Sequence, residues 1–205
     1  MNKLTSITAA IGFVILMGCS PDGAGGGPSA GDEPAAVGPP NLNGVWQAMN
    51  TAHWDLEGHA ARKTPVTDVI GALGAIPAGD SVLQGGGSIP YQAWALEQRD
   101  ENRKNWNRRD RAVSCFIPGV PRMTYMPLPF HIVQSENKIF IAYEWGSNSR
   151  LIHLDKPGTE AELPSWVGYS LGRYEGDTLV VEVTDQMAET WFDATGNFHS
   201  ENLKV

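Results

Sequence analysis

Cysteine is scarce in this chain: two residues in 205. Cys19 closes an N-terminal apolar run, which leaves Cys115 without an intrachain partner and argues against a disulfide framework. No local motif supplies Cys115 with an activating base, so it is expected to be a small buried apolar side chain. Positive charge is also short, with 15 Lys and Arg against 23 Asp and Glu, a net charge of −8. That balance argues against nucleic acid as a partner and against electrostatic attachment to anionic lipid. The single basic run, Arg99 to Arg111, is interleaved with Asp100, Glu101 and Asp110 and predicts a solvated helix face. No apolar run reaches the roughly 20 residues that span a bilayer. Gly85-Gly86-Gly87 lacks the Lys-Ser/Thr of a phosphate loop and predicts a plain turn. There is no internal repeat.

The N-terminus does carry a pattern. Lys3 precedes a mostly apolar stretch from Leu4 to Met17, too short for a span but right for a signal peptide. Leu16-Met17-Gly18-Cys19 then resembles the bacterial lipobox, an aliphatic residue and a small residue before an acylated cysteine. The resemblance implies cleavage after residue 18 and a lipid anchor, palmitate included, on Cys19. One acyl chain binds only marginally, whereas the several chains of a lipoprotein hold permanently. Ser20 in place of Asp implies the outer membrane, facing the periplasm. Residues 19–40 are crowded with Gly, Pro and Ala and bury too little to order, so they predict a flexible tether.

Residues 41–205 predict one β-rich domain. Gly44-x-Trp46 opens a first strand and is the short mark of a lipocalin-like barrel, where the Trp plugs one end. Val69 to Leu73 fits one helical turn or a buried strand. Pro90 to Arg111 is the one good helix, with sparse apolar positions suited to packing on an edge. Four prolines between Cys115 and Pro129 exclude a helix or central strand and predict an extended cover. Strands follow at Phe130–Gln134, Ile139–Trp145, Arg150–Leu154, Val167–Tyr174 and Thr178–Thr184, then Thr190–Phe192 with Phe198–Val205. Alternation puts Ile139, Ile141 and Tyr143 on one face, and Leu179, Val181 and Val183 on one face. The expected fold is mainly β: an antiparallel meander forming a complete or incomplete lipocalin-like barrel or curved sheet, with one helix.

Longer motifs resemble a widespread family of exported bacterial proteins, largely of unassigned function. They are Gly44-Val-Trp46, Asn50-Thr-Ala-His-Trp54-Asp55 with His59, Cys115-Phe-Ile-Pro-Gly119-Val-Pro-Arg122, Trp166-Val-Gly168-Tyr-Ser170-Leu-Gly172-Arg173-Tyr-Glu175-Gly-Asp-Thr178-Leu-Val-Val181, and Trp191-Phe-Asp193-Ala-Thr-Gly196-Asn-Phe-His199-Ser200. The resemblance implies further strands after the His-Ser motif, so a chain stopping at Val205 is expected to be truncated in mid-strand. His153-Leu-Asp155-Lys-Pro-Gly158 departs from the family's plainer turn.

Several residues carry possible chemistry. Gly168-x-Ser170-x-Gly172 matches a nucleophile elbow, but it leads into a strand instead of a helix and reads as a glycine-relieved strand. His53, Asp55 and His59 lie close without sharing one face, and a metal needs three converging ligands, so neither metal nor cofactor is expected. Asp55, Glu144 and His199 are the acid–base candidates, since a carboxyl in a dry cavity rises in pKa. Trp54, Trp191 and Tyr143 are the candidate lining of an apolar cavity in a chain with seven Trp and six Phe. The expected function is a membrane-anchored envelope lipoprotein binding a small hydrophobic ligand. An isomerase, hydratase or lyase acting on such a ligand is the alternative, and a structural envelope protein without a pocket is the third.

Overall fold

Period-2 alternation of apolar residues builds a single sheet. The computed structural model describes residues 39–64, 66–72, 74–155, 161 and 163–205. Six strands lie side by side in chain order: β1 (Gly44–Gln47), β2 (Pro129–Gln134), β3 (Lys138–Tyr143), β4 (Asn148–His153), β5 (Tyr169–Glu175) and β6 (Thr178–Thr184). Between β1 and β2 run α1 (Ala93–Lys104) and a short continuation, α2 (Trp106–Arg109). The expected signal segment, Cys19 and nearly all of the tether lie outside the described residues. The chain is therefore mainly β with one substantial helix, and the sheet is open: β1 and β6 are its edges, so the barrel form is not realised.

Every neighbouring pair is antiparallel except β4 and β5, which run parallel through Ile152↔Ser170 and His153↔Leu171. The expected all-antiparallel meander is corrected at this joint. A parallel pair cannot close through a hairpin, and residues 154–168 are long enough to return the chain to the starting end. Elsewhere neighbouring strands run antiparallel, with β5 and β6 paired from Tyr169↔Thr184 to Glu175↔Thr178.

The inner face collects Ile139, Ile141 and Tyr143 of β3, Ile152 of β4 and Val183 of β6. Phe130, Ile132, Leu179 and Val181 pack against them from neighbouring strands. The proline-rich segment covers this face with Val120 and Met123, each 3 % exposed. On the outer face, Val133, Phe140 and Leu151 stand opposite one another across β2, β3 and β4, and all three are exposed.

Four local expectations are corrected. Trp46 does not plug a barrel; it stands about half exposed on β1, its indole N–H donating to the Leu42 carbonyl at 2.9 Å. Val69 and Ile70 form neither a helix nor a buried strand; they sit exposed in a turn. Cys115 is exposed, because it ends the 3-10 turn Arg111–Ser114 in a left-handed conformation (φ 63°) that reverses the chain. Residues 190–192 and 198–205 make no regular strand pair. A single bridge joins Trp191 and Phe198, and Val205 exchanges both backbone hydrogen bonds with Val183 on the β6 edge.

The Asp193 side chain explains the missing ladder. It is fully buried and accepts from the backbone N–H groups of Leu56, Thr195 and Asn197, from the Thr195 hydroxyl and from the Asn197 amide. Those amides are satisfied by a carboxylate, so the segment closes as a loop and not as a hairpin. The loop also seats α1. Gly196 has φ +89°, and a Cβ there would come 2.8 Å from the Arg103 nitrogen and 2.9 Å from the Arg99 carbonyl. Only glycine allows α1 to lie this close. Gly196→Ala is expected to cost more than ~1 kcal/mol, since it adds both a strained φ and a backbone clash. Urea denaturation at neutral pH measures this, and an unchanged midpoint would refute the docking role.

Candidate functional site

Three loops meet above the sheet around one buried guanidinium. Arg122 opens a 3-10 turn (Arg122–Thr124) in the proline-rich cover and is 2 % exposed. Asp110, 2 % exposed, caps the Arg111–Ser114 turn by accepting the Ala112 N–H at 3.0 Å. Arg122 grips it bidentately: Nη1 donates to Oδ1 and Nη2 to Oδ2, each at 2.9 Å. A buried ion pair with this geometry can offset its desolvation. The third donor, Arg122 Nε, reaches His53 Nδ1 at 3.3 Å. His53 is held from the other side, its carbonyl accepting the Ala194 N–H at 3.0 Å.

This contact fixes the state of the imidazole. Arg122 Nε is always a donor, so Nδ1 must accept and the single ring proton resides on Nε2. Burial, reinforced by the Arg122 charge, lowers the His53 pKa to about 3. His53 is thus neutral near pH 7 and offers a hydrogen-bond donor, not a basic lone pair.

His53, Trp54, Trp106, Val113, Trp145 and Arg122 line a cleft of about 240 Å³. Its walls are mostly aromatic and aliphatic, and its polar complement is made of donors. Asp110, the carboxylate in the wall, spends both oxygens on Arg122. The cleft suits an apolar molecule bearing an acceptor oxygen. A larger groove of about 430 Å³ lies where Asn41, Asn43, Gln134 and Glu136 meet, and nearly half of its wall surface is polar.

The structure disperses most of the residues singled out from the sequence. Trp54 lines the cleft. Trp191 is 7 % exposed and belongs to the core beside the Asp193 loop. Tyr143 lies on the inner sheet face at a void of only about 10 Å³, hardly room for one water. Asp55 is buried and paired with Arg62 at 3.2 Å. Glu144 is exposed at the end of β3. His199 has both ring nitrogens occupied, Nδ1 at 2.8 Å from the Ser200 carbonyl and Nε2 at 2.6 Å from the Thr190 hydroxyl. No hydrogen bond or ion pair joins Asp55, Glu144 and His199 to one another. Among the described residues no group of three or more His, Cys, Asp or Glu could hold a metal ion. Ser170 accepts from Arg150 Nε at 2.8 Å inside the sheet, and Gly172 admits the close approach of Ile152 and Leu154, so the G-x-S-x-G pattern has a packing explanation.

Asp110 and Arg122 were not among the residues singled out. Asp110 was read with its basic neighbours as part of a solvated face, whereas it is fully enclosed. Arg122 closes the Cys115–Arg122 motif, and that position was the available signal. No protein-family model matches the chain, and no curated protein and no solved structure matches it either.

The tautomer and its pH dependence are both measurable. Unfolded histidine binds its proton near pH 6.5, and folded His53 only near 3. Its contribution to stability is therefore complete above pH 6.5 and is lost as pH falls toward 3. His53→Gln keeps an acceptor for Arg122 and removes the titration. The stability lead of the parent chain over this variant is expected to shrink between pH 7 and pH 4 in urea melts. Long-range ¹H–¹⁵N spectra at pH 7 are expected to show Nε2 protonated. A proton on Nδ1, or titration near pH 6.5, would contradict the Arg122 contact.

Proposed function

We propose that this chain is a lipid-anchored envelope protein that binds a small apolar molecule in the cleft between His53, Trp54, Trp106 and Trp145. The observation that carries the reading is the cleft itself. It is ligand-sized, walled by three tryptophans, and bordered by a neutral histidine whose ring proton is left on Nε2. Such a mixture, a mostly apolar surface with few polar groups, is typical of small-molecule sites. Lipid anchorage through Cys19, an outer-membrane position facing the periplasm, and kinship with the exported family whose motifs the chain carries belong to the same proposal. They rest on the lipobox-like Leu16-Met17-Gly18-Cys19 and on the motifs quoted above.

An acid–base enzyme receives less support. His53 has its only lone pair turned to Arg122, His199 is saturated by neighbours, and Glu144 is exposed. General-base chemistry requires a free basic atom at the substrate.

1-Octanol, an apolar chain with one acceptor oxygen, is expected to bind the full chain in isothermal titration. Val113 is about half exposed at the cleft wall. Val113→Trp fills the space and is expected to weaken binding roughly tenfold or more, about 1.4 kcal/mol. Absence of octanol binding, or binding indifferent to Val113→Trp, would remove the cleft from the proposal. Anchorage has its own test. Cells given radiolabelled palmitate are expected to label the parent chain but not Cys19→Ser, and equal labelling would overturn the location.

A further inference from the structure

A second cavity, of about 260 Å³, adjoins the tryptophan cleft and shares Trp106 and Ala194 with it. Its charged lining is Arg62, Lys63, Arg103 and Lys104, with no carboxylate among the lining residues. That is four cations gathered in a chain whose net charge is −8. The gathering is built into the fold. Arg62 and Ile76 exchange two backbone hydrogen bonds at 3.0 Å, fixing the strand-like turn that presents Arg62 and Lys63. Arg103 and Lys104 come from the last turn of α1, whose position is set by its contact with Gly196.

Arg62 is about a quarter exposed and has one carboxylate partner, Asp55 at 3.2 Å. Burial lowers the Arg62 pKa, and the nearby Arg103 charge lowers it further, against the opposing pull of Asp55 and Asp193. Two guanidiniums that repel each other at a concave surface are both stabilised by an anion placed between them. The cations also sit beside Trp106, the residue that forms a wall of the apolar cleft.

We propose that the Arg62, Lys63, Arg103 and Lys104 cavity holds the anionic head, carboxylate or phosphate, of an amphipathic ligand whose apolar tail occupies the tryptophan cleft. This rests on the cleft reading above and narrows its ligand class to amphipathic anions. Trp106 and Ala194 mark the neck where tail becomes head.

Octyl phosphate and 1-octanol share a tail and differ in the head. In isothermal titration at low ionic strength, below the micellar concentration, octyl phosphate is expected to bind the full chain at least tenfold tighter than 1-octanol. The advantage is expected to shrink at 0.5 M salt, where partly exposed charges are screened. It is also expected to disappear in the triple variant Lys63→Gln, Arg103→Gln, Lys104→Gln, whose three side chains are exposed. Octanol affinity reports the state of the cleft in each protein. Inorganic phosphate is expected to compete with octyl phosphate and to leave octanol bound. If octanol binds but octyl phosphate binds no tighter, or if its advantage survives the triple variant, the head site is refuted and the cleft stands. If neither probe binds, the cleft reading fails and the head site fails with it.

Discussion

Arg122 is the charge around which the loop layer is organised. A guanidinium cannot shed its proton to escape burial, so its surroundings must supply acceptors. At 2 % exposure the acceptors come from two distant segments, Asp110 in the turn after α2 and His53 in the turn after β1. Removing either side of such a buried pair costs on the order of 3–5 kcal/mol, because the remaining charge has no water to turn to. The pair therefore ties the proline-rich cover to the chain before and after α1. It also decides the chemistry of the cleft wall, since the imidazole facing Arg122 must present its proton on the opposite nitrogen.

Asp193 plays the corresponding part with the opposite sign. Its five accepted hydrogen bonds close the 193–197 loop, and Ala194 of that loop holds His53 while Gly196 seats α1. Burial pushes the Asp193 carboxyl up from the usual carboxylate range, and the bonds from Asn197, Leu56 and Thr195 pull it back. Two buried charges, one cationic and one anionic, thus fix the two sides of the same cleft. No strand residue lines this cleft. The sheet's inner face is filled by its own isoleucines and by Val120 and Met123. Among the described residues the sheet encloses no lumen of the kind expected of a lipocalin-like barrel, and the tryptophan cleft is lined by loop and helix residues.

The strands were legible because half-buried strands write their faces into alternation. Thr178–Thr184 is bounded as the pattern predicts, and Ile139, Ile141 and Tyr143 are buried together. The parallel joint of β4 and β5 was not legible, since alternation is the same in either direction and only the connection decides. Thr190–Phe192 and Phe198–Val205 read as strands flanking the turn-like segment 193–197, yet a buried carboxylate captured the amides that a ladder would need. Cys115 read as core from residue type alone, while a left-handed turn put it outside. In the site, Trp54 was legible as a candidate cavity-lining aromatic in a chain rich in Trp and Phe. The ion pair was not, because Asp110 sits at the end of a run of exposed basic residues and its partner lies in another motif.

The choice of arginine at position 122 follows from geometry as much as from charge. Lysine would bring three donors on one flexible point charge, unable to present two parallel bonds to a carboxylate and a third at a fixed angle to an imidazole. It would also be free to lose its proton when buried, which arginine is not. With a neutral amine beside it, the His53 ring could hold its proton on either nitrogen, and the cleft would lose its fixed donor. The planar fork of Arg122 removes that freedom. Two of its nitrogens are committed to Asp110, and the remaining Nε points at Nδ1. The polarity of the cleft is thus set by a residue whose hydrogen bonds run to its neighbours, and the same buried contact that supports the loops also specifies what the cleft can recognise.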